Sequence, residues 1–160
     1  MTPREQPWSD DARQHGRLAL VTRNPISTAL ATIAEVVDRP VVLIEDDDEG
    51  AGVQAFSSFA PTDKDAVVLC DHDAPAAPAI LRAALASPAA YVAMMASRRR
   101  SEGLLSDLRA EGYDDAALAR LHVPAGLDTG GKGPGEIALS VIAEVVATSY
   151  GRSGGPMRGR

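Results

Sequence analysis

Three stretches of this sequence combine residue types that could do chemistry. Cys70-Asp71-His72-Asp73 sets a thiol, an imidazole and two carboxylates in a row, which invites a metal. Neighbouring side chains coordinate one ion poorly, so no metal is assigned and Cys70 reads as a buried strand thiol. His72, with Asp73 beside it, keeps two readings: a ligand-facing or proton-handling imidazole, or a loop histidine bonded to backbone. Ser97-Arg98-Arg99-Arg100 offers an N-cap serine, free backbone N–H groups and guanidinium groups where a helix should open. That combination attracts anions, and arginine grips phosphate through two parallel hydrogen bonds. The competing reading is a solvated basic helix face. Residues 126–133, Gly-Leu-Asp-Thr-Gly-Gly-Lys-Gly, match the first seven positions of a Walker A loop. The eighth must carry a hydroxyl for magnesium and is Gly133, so an ATPase is disfavoured. Gly126 and Gly130 then serve tight turns before Pro134 starts a helix, with Asp128 between them.

A fourth position matters for what it lacks. The turn Thr22-Arg23-Asn24-Pro25 follows an apolar run where a dinucleotide-binding protein needs glycines for close backbone approach to a pyrophosphate. Arg23 and Pro25 crowd that approach, although Arg23 can itself meet a phosphate. Glu45 or Asp46 stands about 20 residues on, where an acid could hold a ribose, but both belong to a run of five acidic residues. NAD(P) binding is therefore disfavoured.

The elements that must position these residues alternate. The continuous apolar run 18–21 suits a strand buried on both faces. Asn24 caps and Pro25 opens a helix to Asp38, with Ile26, Leu30, Ile33 and Val37 at helical spacing. Residues 41–44 form a second strand, completing a βαβ unit. Residues 45–60 read as a loop with one short strand or turn. Then come a strand over 66–70, a helix over 76–86, a strand over 90–94 and a helix over 97–112. Asp114 caps a short helix through Arg120, 121–123 is extended, and 134–148 is a helix with Glu136, Ser140 and Glu144 as its polar stripe. The class is a doubly wound, mostly parallel α/β sheet flanked by helices. Its ligand crevice is expected at the carboxyl ends of the strands, near the switch point. Residues 1–16 are expected to be a flexible segment, 17–150 the single domain and 151–160 a disordered tail.

Composition bounds the function. The 160 residues make about one domain, with 45% hydrophobic residues and a net charge of −6. That charge argues against duplex nucleic acid, and 4% aromatics argue against single-strand stacking. One cysteine excludes an internal disulfide, and the N-terminal residues lack an apolar signal region, which together suit a cytoplasmic protein with no membrane span. Fourteen arginines against two lysines, with 28 alanines, suit a GC-rich bacterial genome.

From Asp65 onward the chain resembles the Rossmann-type domain of the XdhC/CoxI family, the xanthine dehydrogenase accessory proteins. The resemblance rests on Asp65-Ala66-Val67-Val68-Leu69 leading to His72-Asp73, then Ser87-Pro88, Tyr91-Val92 and Ser97-Arg98-Arg99. Its most specific part runs from His122-Val123-Pro124-Ala125-Gly126 through Asp128-Thr129-Gly130 into Pro134-Gly135-Glu136 and on to Glu144. It implies a Rossmann-like fold and a chaperone, not a turnover enzyme, so no catalytic residue is assigned. It also implies binding of molybdenum cofactor, with a molybdenum hydroxylase client and a cysteine desulfurase as partners. On that analogy Arg98 and Arg99 face the pterin phosphate with Ser97 and the 126–130 loop, and His72 lines the same crevice. The family's first turn is usually Gly-Ala-Gly-His, a glycine usually precedes Ser-Arg-Arg, and a threonine usually precedes the last helix's proline. Here those positions hold Thr22–Pro25, Ala96 and Gly133. The family's separate N-terminal domain is not expected in this chain. Two other classes stay open: an NAD(P)-dependent oxidoreductase, and an interaction module that kept the fold and lost its ligand. The apolar helices also allow a homodimer.

Overall fold

The computed structural model describes residues 15–45 and 47–159. Apolar four-residue runs become strands β1 (Leu18–Val21), β2 (Val41–Ile44), β3 (Ala66–Leu69) and β4 (Tyr91–Met94), with β5 reduced to Leu121–His122. The connecting helices are α1 (Pro25–Val36), α2 (Glu49–Phe59), α3 (Ala77–Ala86), α4 (Arg98–Ala110), α5 (Asp115–Leu118) and α6 (Pro134–Ser149). The five strands are parallel in the order β2-β1-β3-β4-β5. The order reverses between β1 and β3, which places the topological switch point at their carboxyl ends.

Successive strand residues face opposite sides, and both sides are covered. Ala19, Val21, Val67, Leu69 and Val92 pack with Phe56 and Phe59 of α2, Ile80 and Leu81 of α3, and Leu108 of α4. Leu18, Leu20, Val68 and Ala93 pack with Leu30 and Ala34 of α1 and Val141, Ile142 and Val145 of α6. The expected doubly wound class is thus observed, and each expected helix and strand falls within a few residues of its expected bounds.

Residues 45–60 differ: most of this stretch is α2, not a loop. Asp48 caps it by accepting from Ala51 N at 2.9 Å. Gly50, Gly52, Ser57 and Ser58 weaken its helical propensity, and tertiary packing of Phe56 and Phe59 into the core supplies what propensity does not. Asp46 and residues 1–14 lie outside the described residues, so the ribose-acid reading of Asp46 and most of the 1–16 segment fall there. Residues 151–159 are exposed and hold no helix or strand. Among the described residues no helix is long and apolar enough to cross a membrane.

The start of the sheet is tied by one carboxylate. Asp65, buried just before β3, accepts from Arg17 N at 2.7 Å and Thr62 N at 2.8 Å, and pairs with Arg17 Nη2 at 2.6 Å. Burial alone would push its carboxyl up, but the Arg17 and Thr62 bonds outweigh it and hold the group below the ordinary carboxylate range.

Candidate functional site

At the β1/β3 switch point the chain fills its own crevice. Asn24 Oδ1 accepts from the amides of Ile26 and Ser27 at 3.0 Å each, and Ser27 Oγ returns a bond from Asn24 N at 2.8 Å. This reciprocal cap consumes the N–H groups that a phosphate would use at the start of α1. Asn24 Nδ2 also donates to Cys70 O at 3.0 Å, bridging the ends of β1 and β3. Arg23 is exposed and pairs with Glu45 Oε1 at 2.9 Å, so the residues read as phosphate and ribose contacts hold each other. Thr22 has φ +81°, a conformation that favours glycine and is unusual for a β-branched residue. The turn keeps the backbone shape of a glycine turn with side chains in place of the open cradle.

One strand along, His72 and Asp73 belong to a second cluster. His72 Nδ1 donates to Met95 O at 3.1 Å, and Nε2 lies 3.3 Å from Asp73 Oδ2, an ion-pair distance without hydrogen-bond alignment. Asp73 also meets Arg100 Nη1 at 3.2 Å. His72 and Arg100 line a groove of 380 Å³ between α3 and α4 with Arg82 and Asp107. The potential ligand atoms of Asp71, His72 and Asp73 lie within 4.8 Å of one another. All three groups are already engaged, Asp71 Oδ1 by Asp73 N at 2.9 Å, His72 by Met95 and Asp73 by Arg100. Cys70 does not join them, because its thiol is buried.

The third cluster holds most of the remaining candidates. Arg98, Gly126, Asp128 and Gly130 line one groove of 530 Å³ at the carboxyl ends of β4 and β5, together with Lys132. Two helices begin beside it. In α4, Ser97 Oγ accepts from Arg100 N at 3.1 Å, so Ser97 acts as a cap, as read from sequence. In α6 the cap is Gly133, which offers no side-chain acceptor to the first-turn amides. Two helix N-termini with Arg98 and Lys132 favour an anion here by local chemistry, opposed by Asp128 in the wall and Glu136 in the first turn of α6. Arg99 is exposed and lines neither groove. Apart from Arg99, the candidate residues Arg23, Asn24, His72, Asp73, Ser97, Arg98, Gly126, Asp128 and Gly130 therefore fall at three places along the carboxyl ends of the strands, and four of them share a wall.

Sequence reasoning missed two parts of this region. Lys132 belongs to the incomplete Walker pattern, whose missing hydroxyl hides it. Glu144 lies in the polar stripe of α6, whose first member Glu136 is exposed while Ser140 and Glu144 face inward. Its Oε1 accepts from Tyr91 Oη at 2.5 Å and Gly126 N at 3.1 Å, and lies 3.3 Å from His122 Nδ1. The Tyr91 and His122 rings stack with centroids 4.5 Å apart. Burial alone pushes the Glu144 carboxyl up, but the bonds from His122, Tyr91 and Gly126 win and hold it below its ordinary value. Burial, then Glu144, pushes the Tyr91 phenol well above the ordinary tyrosine range. These groups anchor the groove's loop from behind. Gly126 has φ +100°, and a Cβ there would lie 2.4 Å from Ser140 Oγ, so the loop seats directly on α6. A glutamate within an apolar helical pattern, paired with His122 upstream, was the available signal.

A family model described as the XdhC Rossmann domain matches residues 18–145. The uncharacterized protein YqeB of Escherichia coli K12 is 40% identical over 70 residues, which cover 44% of this chain and 13% of YqeB. A crystal structure described as a xanthine dehydrogenase from Bacillus halodurans has a similar fold, with a TM-score of 0.69 at 22% identity. That match covers 87% of this chain and 44% of the other, so the chain spans less than half of either relative.

Proposed function

The chain belongs to the XdhC Rossmann-domain family, and from that premise we propose that it serves the maturation of a xanthine dehydrogenase-type molybdenum hydroxylase, carrying molybdenum cofactor as cargo. The description of its Bacillus halodurans relative as a xanthine dehydrogenase supports an association with that enzyme. The observation that carries the cargo reading is the 530 Å³ groove in which Arg98 and Lys132 meet the starts of α4 and α6. An anionic pterin phosphate suits that setting, because charge-assisted bonds from arginine and backbone amides are the strong ones.

This reading assigns the β4/β5 groove to the cargo in place of the switch-point crevice, where Asn24 already uses the α1 amides. Arg98, Lys132 and the Gly126–Gly130 backbone hold the phosphate end, and Asp128 at the rim limits how much negative charge enters. His72 lines the neighbouring groove. The chain's own thiol is buried, so sulfuration falls to a partner cysteine desulfurase and insertion to contact with the hydroxylase client. The protein acts in the cytoplasm as a carrier and not as a turnover enzyme.

The test is retention of freshly released molybdenum cofactor by the purified protein under anaerobic ultrafiltration, with NADH and ATP in parallel. Selective retention of the cofactor is expected. Selective retention of NADH would overturn the reading in favour of an oxidoreductase. A second reading, an interaction module without a ligand, draws on the self-filled switch point. It predicts retention of none of the three together with co-purification of a hydroxylase subunit.

A further inference from the structure

We propose that a cavity at the opposite end of the sheet, where the strands begin, is a phosphate-binding site. The cavity measures 480 Å³ and is lined by Arg39, Lys64, His15, Asp63, Thr148 and Ser149 among others. Lys64 precedes β3 and Arg39 precedes β2, so the site is separated from the β4/β5 groove by the length of the strands.

Arg39 is the core of the argument. It is 4% exposed, far more buried than an arginine ordinarily is. Its Nη2 donates to Ser149 Oγ, and its Nε is buried with no hydrogen-bond acceptor. Among the described residues no carboxylate lies within ion-pair distance of it. The nearby buried carboxylate, Asp65, is taken by Arg17. A buried cation with an unused donor is costly unless an anion completes it. Lys64, which is exposed, supplies a second permanent positive charge on the same cavity, and Asp63 is the single carboxylate in its wall. His15 and Tyr150 stand beside it, with Tyr150 Oη 3.5 Å from His15 Nε2. One planar guanidinium fork and one ammonium suit a phosphate dianion better than a single-charged carboxylate.

Inorganic phosphate titrated into the full chain at constant ionic strength is the probe, followed by backbone amide shifts and by thermal unfolding. Saturable shifts at Gly16, Lys64 and Ser149 are expected, with a rise in Tm that matched sodium chloride does not give. Lys64→Gln should weaken phosphate binding about fivefold, as loss of one charge-assisted contact does. Arg39→Met should abolish saturation while its Tm in chloride is no lower than that of the parent, because an unpaired buried charge has been removed. The double variant Arg98→Ala/Lys132→Ala should keep these shifts, which separates this cavity from the cargo groove. Equal responses to chloride and phosphate would overturn the proposal, as would acetate binding as tightly as phosphate. So would an unchanged phosphate response in Lys64→Gln, a surface variant that decides the matter even where Arg39→Met does not fold.

Discussion

Two carboxylates, Asp65 buried at the start of the sheet and Glu144 half-buried behind the groove, each gather several hydrogen bonds. Each is held below its ordinary range because the hydrogen bonds it accepts outweigh the cost of its burial. The sign of the linkage follows. The unfolded chain takes up protons at ordinary carboxylate values, 3.8 for Asp65 and 4.5 for Glu144, before the folded chain does. Their stabilisation is therefore full above about pH 5 and is lost as pH falls through the depressed folded values. Urea titrations should show stability falling on acidification below about pH 4.5, with a shallower acid limb in Asp65→Asn. An identical limb in that variant would remove Asp65 from the account. At neutral pH, Glu144→Ala leaves Tyr91 Oη and Gly126 N without their acceptor and should cost about 2 kcal/mol. Glu136→Ala, at the exposed first turn of α6, should stay within about 0.5 kcal/mol, and equal costs for the two would contradict the inward placement of Glu144. Sequence could identify His122, Gly126 and Glu144 as belonging together through the resemblance, but not that one carboxylate oxygen gathers them. That depends on β4 and α6 meeting across 53 residues.

Among the elements, α1 shows how a local sequence rule and a long-range contact can share one side chain. Asn24 before Pro25 was legible as a cap because both the acceptor and the missing N–H are local requirements. The bridge from its amide to Cys70 O was not legible, since nothing near Asn24 says which strand lies next to β1. The two roles can be separated. Asn24→Asp keeps the capping oxygen and loses the donor to Cys70, whereas Asn24→Ala loses both. Thermal unfolding should place Asn24→Ala about 2 kcal/mol below the parent and Asn24→Asp between them. Equal losses would mean that the cap carries no weight. Helix α2 illustrates the opposite case. Its two glycines and paired serines give no helical signal, and the Asp48 cap with the burial of Phe56 and Phe59 in the core beside β2 and α3 explains why those residues form a helix. The strands were the easiest elements to read, because a sheet covered on both faces needs short unbroken apolar runs, and 18–21, 41–44 and 66–69 are such runs.

For the whole molecule, the strand order decides which chemistry each end can host. Element types predicted a parallel sheet with its crevice at the carboxyl ends, but the order β2-β1-β3-β4-β5 fixes the switch point at β1/β3. There Asn24 and the Arg23–Glu45 pair use the groups a ligand would need. The open basic groove lies instead at the ends of β4 and β5, where Arg98 and Lys132 stand near the starts of two helices. No spacing rule within the sequence brings residue 98 beside residue 132; the fold does. Arg99, read from sequence as Arg98's equal, lines neither groove. The most direct test of the account compares anaerobic cofactor retention by the parent, by Arg98→Ala/Lys132→Ala and by Arg23→Ala. The account predicts roughly tenfold or greater loss in the double variant, as expected for two charge-assisted contacts, and parental retention in Arg23→Ala. Loss in Arg23→Ala with full retention in the double variant would return the cargo to the switch point and contradict the assignment of the β4/β5 groove.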